Sequence, residues 1–487
     1  MGLLDRSTWE GKIWSGGWVA GSGGEYAAIE PATGKELARV GAAGAADVHQ
    51  AAEQAAAAQR SWAVAPYDQR AAVLRRAAQL WTEYEDEIHE WLIRESGAIR
   101  PFAAFQTRQV AAEECWEAAG LAGHPYGELL RSNQPRLSFS RRLPVGVVGV
   151  ISPFNAPVIL SIRAVAPALA LGNAVVLKPD PRTAICGGVV FARLFEEAGL
   201  PAGLLHVLPG GPDVGAAIVA DPVIRVIAFT GSTRAGKLVA RAAADRLKRV
   251  HLELGGNSAL VILDDVDIDA AASVGAFGSF NHAGQICMAS SRHLVDARIA
   301  DEYTAALAEH AQRLPVGDPT RDDVALGPVI DANQRDNIHR IVTDSVAAGA
   351  RLAAGGTYDD LFYRPTVLRD VPPEAPAYAE EIFGPVAPVV AFRDLDEAVE
   401  LAAGTEYGLS LAVLTRDVMK GLAFAERVPS GLVHINDQTV NDEALVPFGG
   451  VGYSGNGSRQ GGAAANLDAF TETQWVTMRA NPPAYPF

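Results

Sequence analysis

Val145-Gly146-Val147-Val148-Gly149-Val150-Ile151-Ser152-Pro153-Phe154-Asn155-Ala156-Pro157 is the stretch that decides the fold. Its first seven residues are a short β-branched run, and Pro153 and Pro157 then break it. Four similar runs follow: Asn173–Leu177, Leu204–Leu208, Val223–Phe229 and Arg249–Leu252. Helical patterns fill the gaps at roughly 158–171, 184–199, 212–219 and 234–246. Strand alternating with helix predicts an α/β fold, a mostly parallel sheet with helices on both faces. Such sheets bind ligands at the carboxyl ends of their strands.

Upstream, 45–60 is an Ala-rich helix and 67–95 a longer amphipathic one. Downstream, a second α/β stretch from about 258 to 450 contains Ala259–Leu263, a helix near 267–282 and further alternation after Arg292. Two segments stand apart. Arg136–Arg142 and Phe470–Met478 alternate polar and apolar residues and read as exposed strands. An exposed strand edge needs a partner.

The 487 residues suffice for two or three domains, and 49% hydrophobic with 20% charged residues describes a globular chain with a large core. A net charge of −16 argues against nucleic acid and anionic membrane surfaces as partners. The longest apolar stretch, Pro144–Leu160, is too short and too polar to span a bilayer. No secretory n-region and h-region opens the sequence, and Arg6 stands where a myristoylation signal wants Ser or Thr. Cys115, Cys186 and Cys287 form no CxxC pair, so no metal site is expected, and so sparse a set suits a reducing cytoplasm.

Three residues carry chemistry. Cys287 lies in Gly284-Gln285-Ile286-Cys287, Glu253 in Leu252-Glu253-Leu254-Gly255-Gly256 and Asn155 in Pro153-Phe154-Asn155-Ala156-Pro157. Hydride leaves carbon only from an sp³ centre, so oxidation of an aldehyde begins with attack on the carbonyl. A thiolate serves well. Asn155 and the Cys287 backbone N–H can receive the oxyanion. The thioester that follows needs water and a base, for which Glu253 between two leucines is the candidate. Singly, each has a plainer reading: a buried small hydrophobe, an ion-pair member, a turn residue. Their joint occurrence beside a parallel sheet favours the chemistry.

Gly231-Ser232-Thr233-Arg234-Ala235-Gly236-Lys237 nearly spells a P-loop, and Leu260–Asp265 resembles its Walker B partner. Leu238 replaces the magnesium-binding hydroxyl, which argues against an NTPase, the rival class. A helix N-terminus suited to a phosphate is the better reading, with a plain strand-to-helix turn equally open. Gly450-Val451-Gly452-Tyr453-Ser454-Gly455 matches GxGxxG without a strand before it, and reads as a flexible loop near the active site.

Taken with Lys178-Pro179, Phe229–Thr233, Glu380-Glu381-Ile382-Phe383-Gly384-Pro385 and Pro447-Phe448-Gly449-Gly450, these motifs resemble the aldehyde dehydrogenase superfamily over nearly the whole chain. The resemblance implies Cys287 as nucleophile, Glu253 as base and Asn155 in the oxyanion hole. It implies a Rossmann-type NAD(P)-binding domain (1–122 and 144–252), an α/β catalytic domain (253–449) and a small β extension (123–143 and 468–487) that builds homodimers or homotetramers. It places Lys178 and Glu381 on ribose hydroxyls, Ser232 on the pyrophosphate and Phe383 near the nicotinamide ribose. Ile151, Ser152, Pro153 and Phe154 line the cofactor path, and Gly211, Phe229, Gly231, Leu254 and Gly255 join the same set.

Departures from the family pattern matter. Pro181 stands where NAD-selective members often carry Glu, so a 2′-phosphate is not repelled and Arg182 could attract it; NAD or NADP is expected, with a solvated helix-start residue the plainer reading of Arg182. Arg459 stands where many members have Glu, which puts a second proton-exit route there in doubt. The tract Lys178–Thr183 and the ending Gln474–Thr477 with Tyr485–Phe487 look most like the benzaldehyde and vanillin branch. By family analogy Ala156, Ile159, Leu160, Arg163, Ile286 and Phe448 form the substrate tunnel, in which a small Ala156 leaves room for a ring and Phe448 can stack on it. Aromatic aldehydes are therefore the expected substrates, with aliphatic aldehydes or semialdehydes, a CoA-acylating relative and a non-enzymatic scaffold as alternatives.

Overall fold

The computed structural model describes residues 2–486, which form two seven-stranded sheets, a three-stranded sheet and the helices that cover them. Met1 and Phe487, the outermost residues of two expected segments, lie outside the described residues. In the first sheet the five expected runs become Val147–Ile151, Ala174–Lys178, Leu205–Val207, Ile224–Thr230 and Arg249–Glu253. All five are parallel. The chain adds strands first to one side of Val147–Ile151 and then to the other, where Ile224–Thr230 lies, so the switch point falls between these two. Every residue of Val147–Ile151 and Ala174–Lys178 is buried, as parallel strands covered on both faces require.

Two short antiparallel strands, Ile13–Trp14 and Trp18–Val19, close one edge. Two residues carry no readable alternation, which is why the sequence did not announce them. The single helix expected over 67–95 is two, Tyr67–Glu83 and Glu85–Ser96, broken at Tyr84. The helix expected over 184–199 opens as a π-helical turn, Ile185–Val189, before Val190–Glu197.

The second sheet runs Arg351–Ala354, Thr366–Arg369, Val386–Phe392, Ser290–Asp296, Ser258–Ile262, Ser410–Leu414 and Leu432–Ile435. Only its first strand is antiparallel to its neighbour. The two alternating segments find each other: Leu137–Pro144 pairs with Thr471–Met478 along its full length, and Gly127–Leu129 adds a third strand. The C-terminal strand begins at Thr471, one residue after the expected start at Phe470, because Ala463–Phe470 form a helix. Leu129, Leu137, Trp475 and Met478 on this small sheet are exposed.

Each large sheet has its own hydrophobic core. A third, small cluster, including Phe102, Ala156, Ile159, Ile286, Met288 and Phe448, lies apart from both. Among the described residues no helix is long and apolar enough to cross a membrane, and no group of three or more His, Cys, Asp or Glu could hold a metal.

Candidate active site

The site forms where the chain crosses from one sheet to the other. Glu253 ends the last parallel strand of the first sheet, and Ser258 begins the second sheet. Cys287 lies three residues before the strand Ser290–Asp296, and Asn155 four residues after Val147–Ile151. Thus three strand ends converge.

The approach to Cys287 is a tight loop. His282, Ala283 and Gly284 have φ of 50°, 52° and 68°, a left-handed run that L side chains adopt only under tertiary constraint. A Cβ on Gly284 would meet the Gly384 carbonyl oxygen at 2.1 Å, so glycine is required there. Asn155 fastens this loop by donating from Nδ2 to the Gln285 carbonyl at 2.9 Å. An amide has two N–H bonds, so one donor remains for an oxyanion. His282, which the sequence did not single out, stacks on Phe102 at 4.4 Å, and burial lowers its pKa to about 4, leaving it neutral.

Cys287 is half-buried. Burial pushes its thiol up to about 12, and the carboxylates of Glu381, Glu253 and Asp442 add to the effect. Glu253 is buried, and among the described residues neither carboxyl oxygen has a hydrogen-bond partner. Burial drives its pKa well above the usual range, opposed first by Arg459 and then by Arg163. An unpartnered buried carboxyl is costly and marks a functional group.

Cys287 lines a small pocket. Its walls include Asn155, Ala156, Ile159, Leu160, Arg163, Ile286 and Phe448, so the residues proposed for the tunnel stand together. Phe102, Phe105, Met288, Val440 and Asp442 complete it and were missed; only the paired aromatics Phe102 and Phe105, one helical turn apart, left a signal. The walls are apolar apart from Asn155 and one ion cluster. Arg163 is buried, pairs with Asp442 and Glu114, and lies over the Phe448 ring at 5.1 Å. Burial raises Glu114 to about 8, against the pull of Arg163.

The residues proposed for the cofactor line the carboxyl ends of the first sheet. Ile151 ends its strand, and Ser152, Pro153 and Phe154 continue from it. Lys178 ends the next strand; burial lowers its pKa, and its Nζ donates only to the Pro179 carbonyl, at 3.3 Å. Gly211 and Ser232 precede the helices Pro212–Ala220 and Thr233–Ala244, whose first-turn amides suit phosphate. Phe229 packs under Gly231, whose N–H donates to the Glu253 carbonyl at 3.0 Å. Leu254 and Gly255 follow the base, and Glu381 accepts from the Gly256 N–H at 3.0 Å. Burial pushes Glu381 up to about 7. A Cβ on Gly255 would strike that carboxyl at 2.1 Å. Phe383, at φ 51°, sets its ring edge-on to Phe154 at 5.8 Å. A buried ammonium with one long backbone contact, a half-buried carboxyl and two helix N-termini, one of them capped by Ser232 on the Ala235 N–H at 3.3 Å, fit a dinucleotide.

Arg182 stands in the helical turn Pro181–Thr183 with its side chain 39% exposed, so it is solvated at a helix start but not free: its guanidinium grips Asp180, reaches Asp331 at 2.8 Å and lies over Phe154 at 4.1 Å. Two carboxylates already compensate its charge. The Gly450–Gly455 segment is a loop against the site, anchored by Leu254 N–H to the Ser454 carbonyl at 2.9 Å, rather than a second dinucleotide turn.

A carboxyl at the crossover, a loop-held thiol and a dinucleotide-type sheet together suit a dehydrogenase. The aldehyde dehydrogenase family pattern matches residues 18–476, and the chain belongs to that family. It is 63% identical over 487 residues to the vanillin dehydrogenase of an Amycolatopsis species, covering 100% of both. It is 47% identical over 484 residues to the NAD⁺ benzaldehyde dehydrogenase of Pseudomonas putida, covering 99% of each. The solved salicylaldehyde dehydrogenase of P. putida G7, in complex with salicylaldehyde, superposes with a TM-score of 0.94 at 35% identity, over 98% of this chain and 99% of that one.

Proposed function

We propose that this enzyme oxidises aromatic aldehydes of the benzaldehyde and vanillin type to carboxylic acids with NAD⁺ or NADP⁺. The observation that carries the reading is an apolar pocket ending on Cys287, with the unpartnered Glu253 carboxyl beside it. The vanillin and benzaldehyde relatives support the ring preference.

Cys287 thiolate attacks the aldehyde carbon, forming the C–S bond. The new oxyanion receives hydrogen bonds from the free Asn155 N–H and the Cys287 backbone N–H. A bound nicotinamide supplies the acceptor for the departing hydride. Cys287 then carries a thioester. Glu253 takes a proton from water, the oxygen bonds to the acyl carbon, the C–S bond breaks and the thiolate is restored. Lys178, Ser232 and Glu381 hold the dinucleotide. Dual cofactor use rests on Pro181, which offers no carboxylate to repel a 2′-phosphate, and not on the already paired Arg182. We place the enzyme in the cytoplasm, as a homodimer or homotetramer joined through the exposed residues of the small sheet.

The test is absorbance of reduced nicotinamide with benzaldehyde, vanillin and hexanal, each with NAD⁺ and NADP⁺. Higher kcat/KM on the two aromatic aldehydes is expected. A preference for hexanal would refute the aromatic reading.

A further inference from the structure

The segment Phe448–Gln460 folds back over the base. Phe448 and Gln460 exchange backbone hydrogen bonds at 2.7 and 3.0 Å, and Glu253 bridges to Gly455. Arg459 is held inside this segment, its Nη1 donating to the carbonyls of Ser458 at 2.9 Å and Gly450 at 3.1 Å. Gly449 fills the space between it and the base. A Cβ on Gly449 would stand 2.8 Å from Arg459 Cδ and 2.9 Å from Glu253 Oε1. Glu253 is 5% exposed, and both its carboxyl oxygens lack a normal hydrogen bond among the described residues, although the Gly450 N–H stands close enough to favour the ionised form as well.

The charged and titratable groups facing Glu253 are Arg459 from this segment, Arg163 from the helix Pro157–Ala170 and Cys287 from the nucleophile loop. Arg163 is already committed to Asp442 and to Glu114, the latter at 3.5 Å. Arg459 forms no ion pair among the described residues; its fixed contacts are the two carbonyls. Among the described residues it is the cation beside the base that has no carboxylate partner.

We propose that Arg459 is a positioning residue for the general base, its guanidinium keeping the Glu253 carboxylate ionised for deacylation. It acts through Glu253 and touches neither substrate nor cofactor. In the step it serves, water gives a proton to the carboxylate and its oxygen to the acyl carbon, while Cys287 leaves as thiolate. Arg459 also favours return of that proton to solvent, because the anion left behind is stabilised. The proposal rests on the hydrolytic reading above.

The test follows nicotinamide absorbance by stopped flow with benzaldehyde and NAD⁺ from pH 6 to 9.5, for wild type, Arg459→Gln, Arg459→Met and Arg459→Lys. In the two neutral variants a first-turnover burst should persist, while the acidic midpoint of the steady phase rises by about one pH unit and the steady phase slows by up to about tenfold at pH values below both midpoints. Arg459→Lys should restore most of the midpoint. A purely structural role would lower rate and thermal midpoint together and leave the pH midpoint in place. An unmoved midpoint in the neutral variants, or an equal shift in the Lys variant, overturns the proposal. A wild-type steady phase that requires added coenzyme A would overturn the hydrolytic reading instead, and this proposal with it.

Discussion

Gly256 lies between Glu381 and the nucleophile loop. Its N–H donates to Glu381, and a Cβ on it would stand 2.3 Å from the Cys287 carbonyl oxygen and 3.3 Å from Leu409. Its φ lies outside the left-handed region, so alanine is conformationally allowed and the cost is steric. Ordinary contact begins at 3.4 Å, so the Cys287 carbonyl must retreat by about 1 Å. Displacement of a reacting group by about 1 Å costs roughly 10²-fold, or about 2.7 kcal/mol of barrier. Overpacking a dense interior adds about 1–3 kcal/mol to the loss of stability. Gly256→Ala should therefore lower kcat/KM about 10²-fold with a modest fall in thermal midpoint. The assay is nicotinamide absorbance with benzaldehyde, alongside alkylation of Cys287 by iodoacetamide. Gly120→Ala is the control, since a Cβ there meets nothing within 4 Å. A Gly256→Ala enzyme within threefold of wild type in kcat/KM, with an unchanged thermal midpoint, would refute the reasoning.

Glu253→Gln should keep the first burst of reduced nicotinamide and slow the steady phase by about 10²–10⁴-fold; full steady-state turnover would disprove the base assignment. With the Cys287 thiol raised to about 12 in the free enzyme, the neutral form dominates at neutral pH. Alkylation should therefore climb about tenfold per pH unit between pH 7 and 9, and a plateau near pH 8 would show that the thiolate is already formed. Arg163→Leu leaves Asp442 and Glu114 buried without their cation and should cost about 3–5 kcal/mol in chemical unfolding; a loss below about 1 kcal/mol would show that the cluster relaxes by protonation.

The parallel sheet was legible because its signals are local. Each central strand is a buried aliphatic run, and the helix starting at Pro157 carries its own punctuation. The break at Tyr84 carries no Pro or Gly, and the π turn at Ile185–Val189 is marked only by the pair Gly187-Gly188. Reactive atoms were legible for a related reason: a thiol, a carboxyl and an amide are chemistry that a residue brings with it. Their charge states are not, because a charge state is a sum over neighbours that the chain supplies from far away. Arg182 reads as a free cation until Asp331, 149 residues on, is found against it. Arg163 does line the tunnel, but Asp442, 279 residues on, neutralises it there. Arg459 reads as a missing acid, yet the fold lays it beside Glu253 with no carboxylate of its own. The same residue type thus has three different electrostatic roles in one molecule. Only the tertiary partner separates them, so the uncommitted arginine, and not the number of arginines near the site, governs the proton on the base.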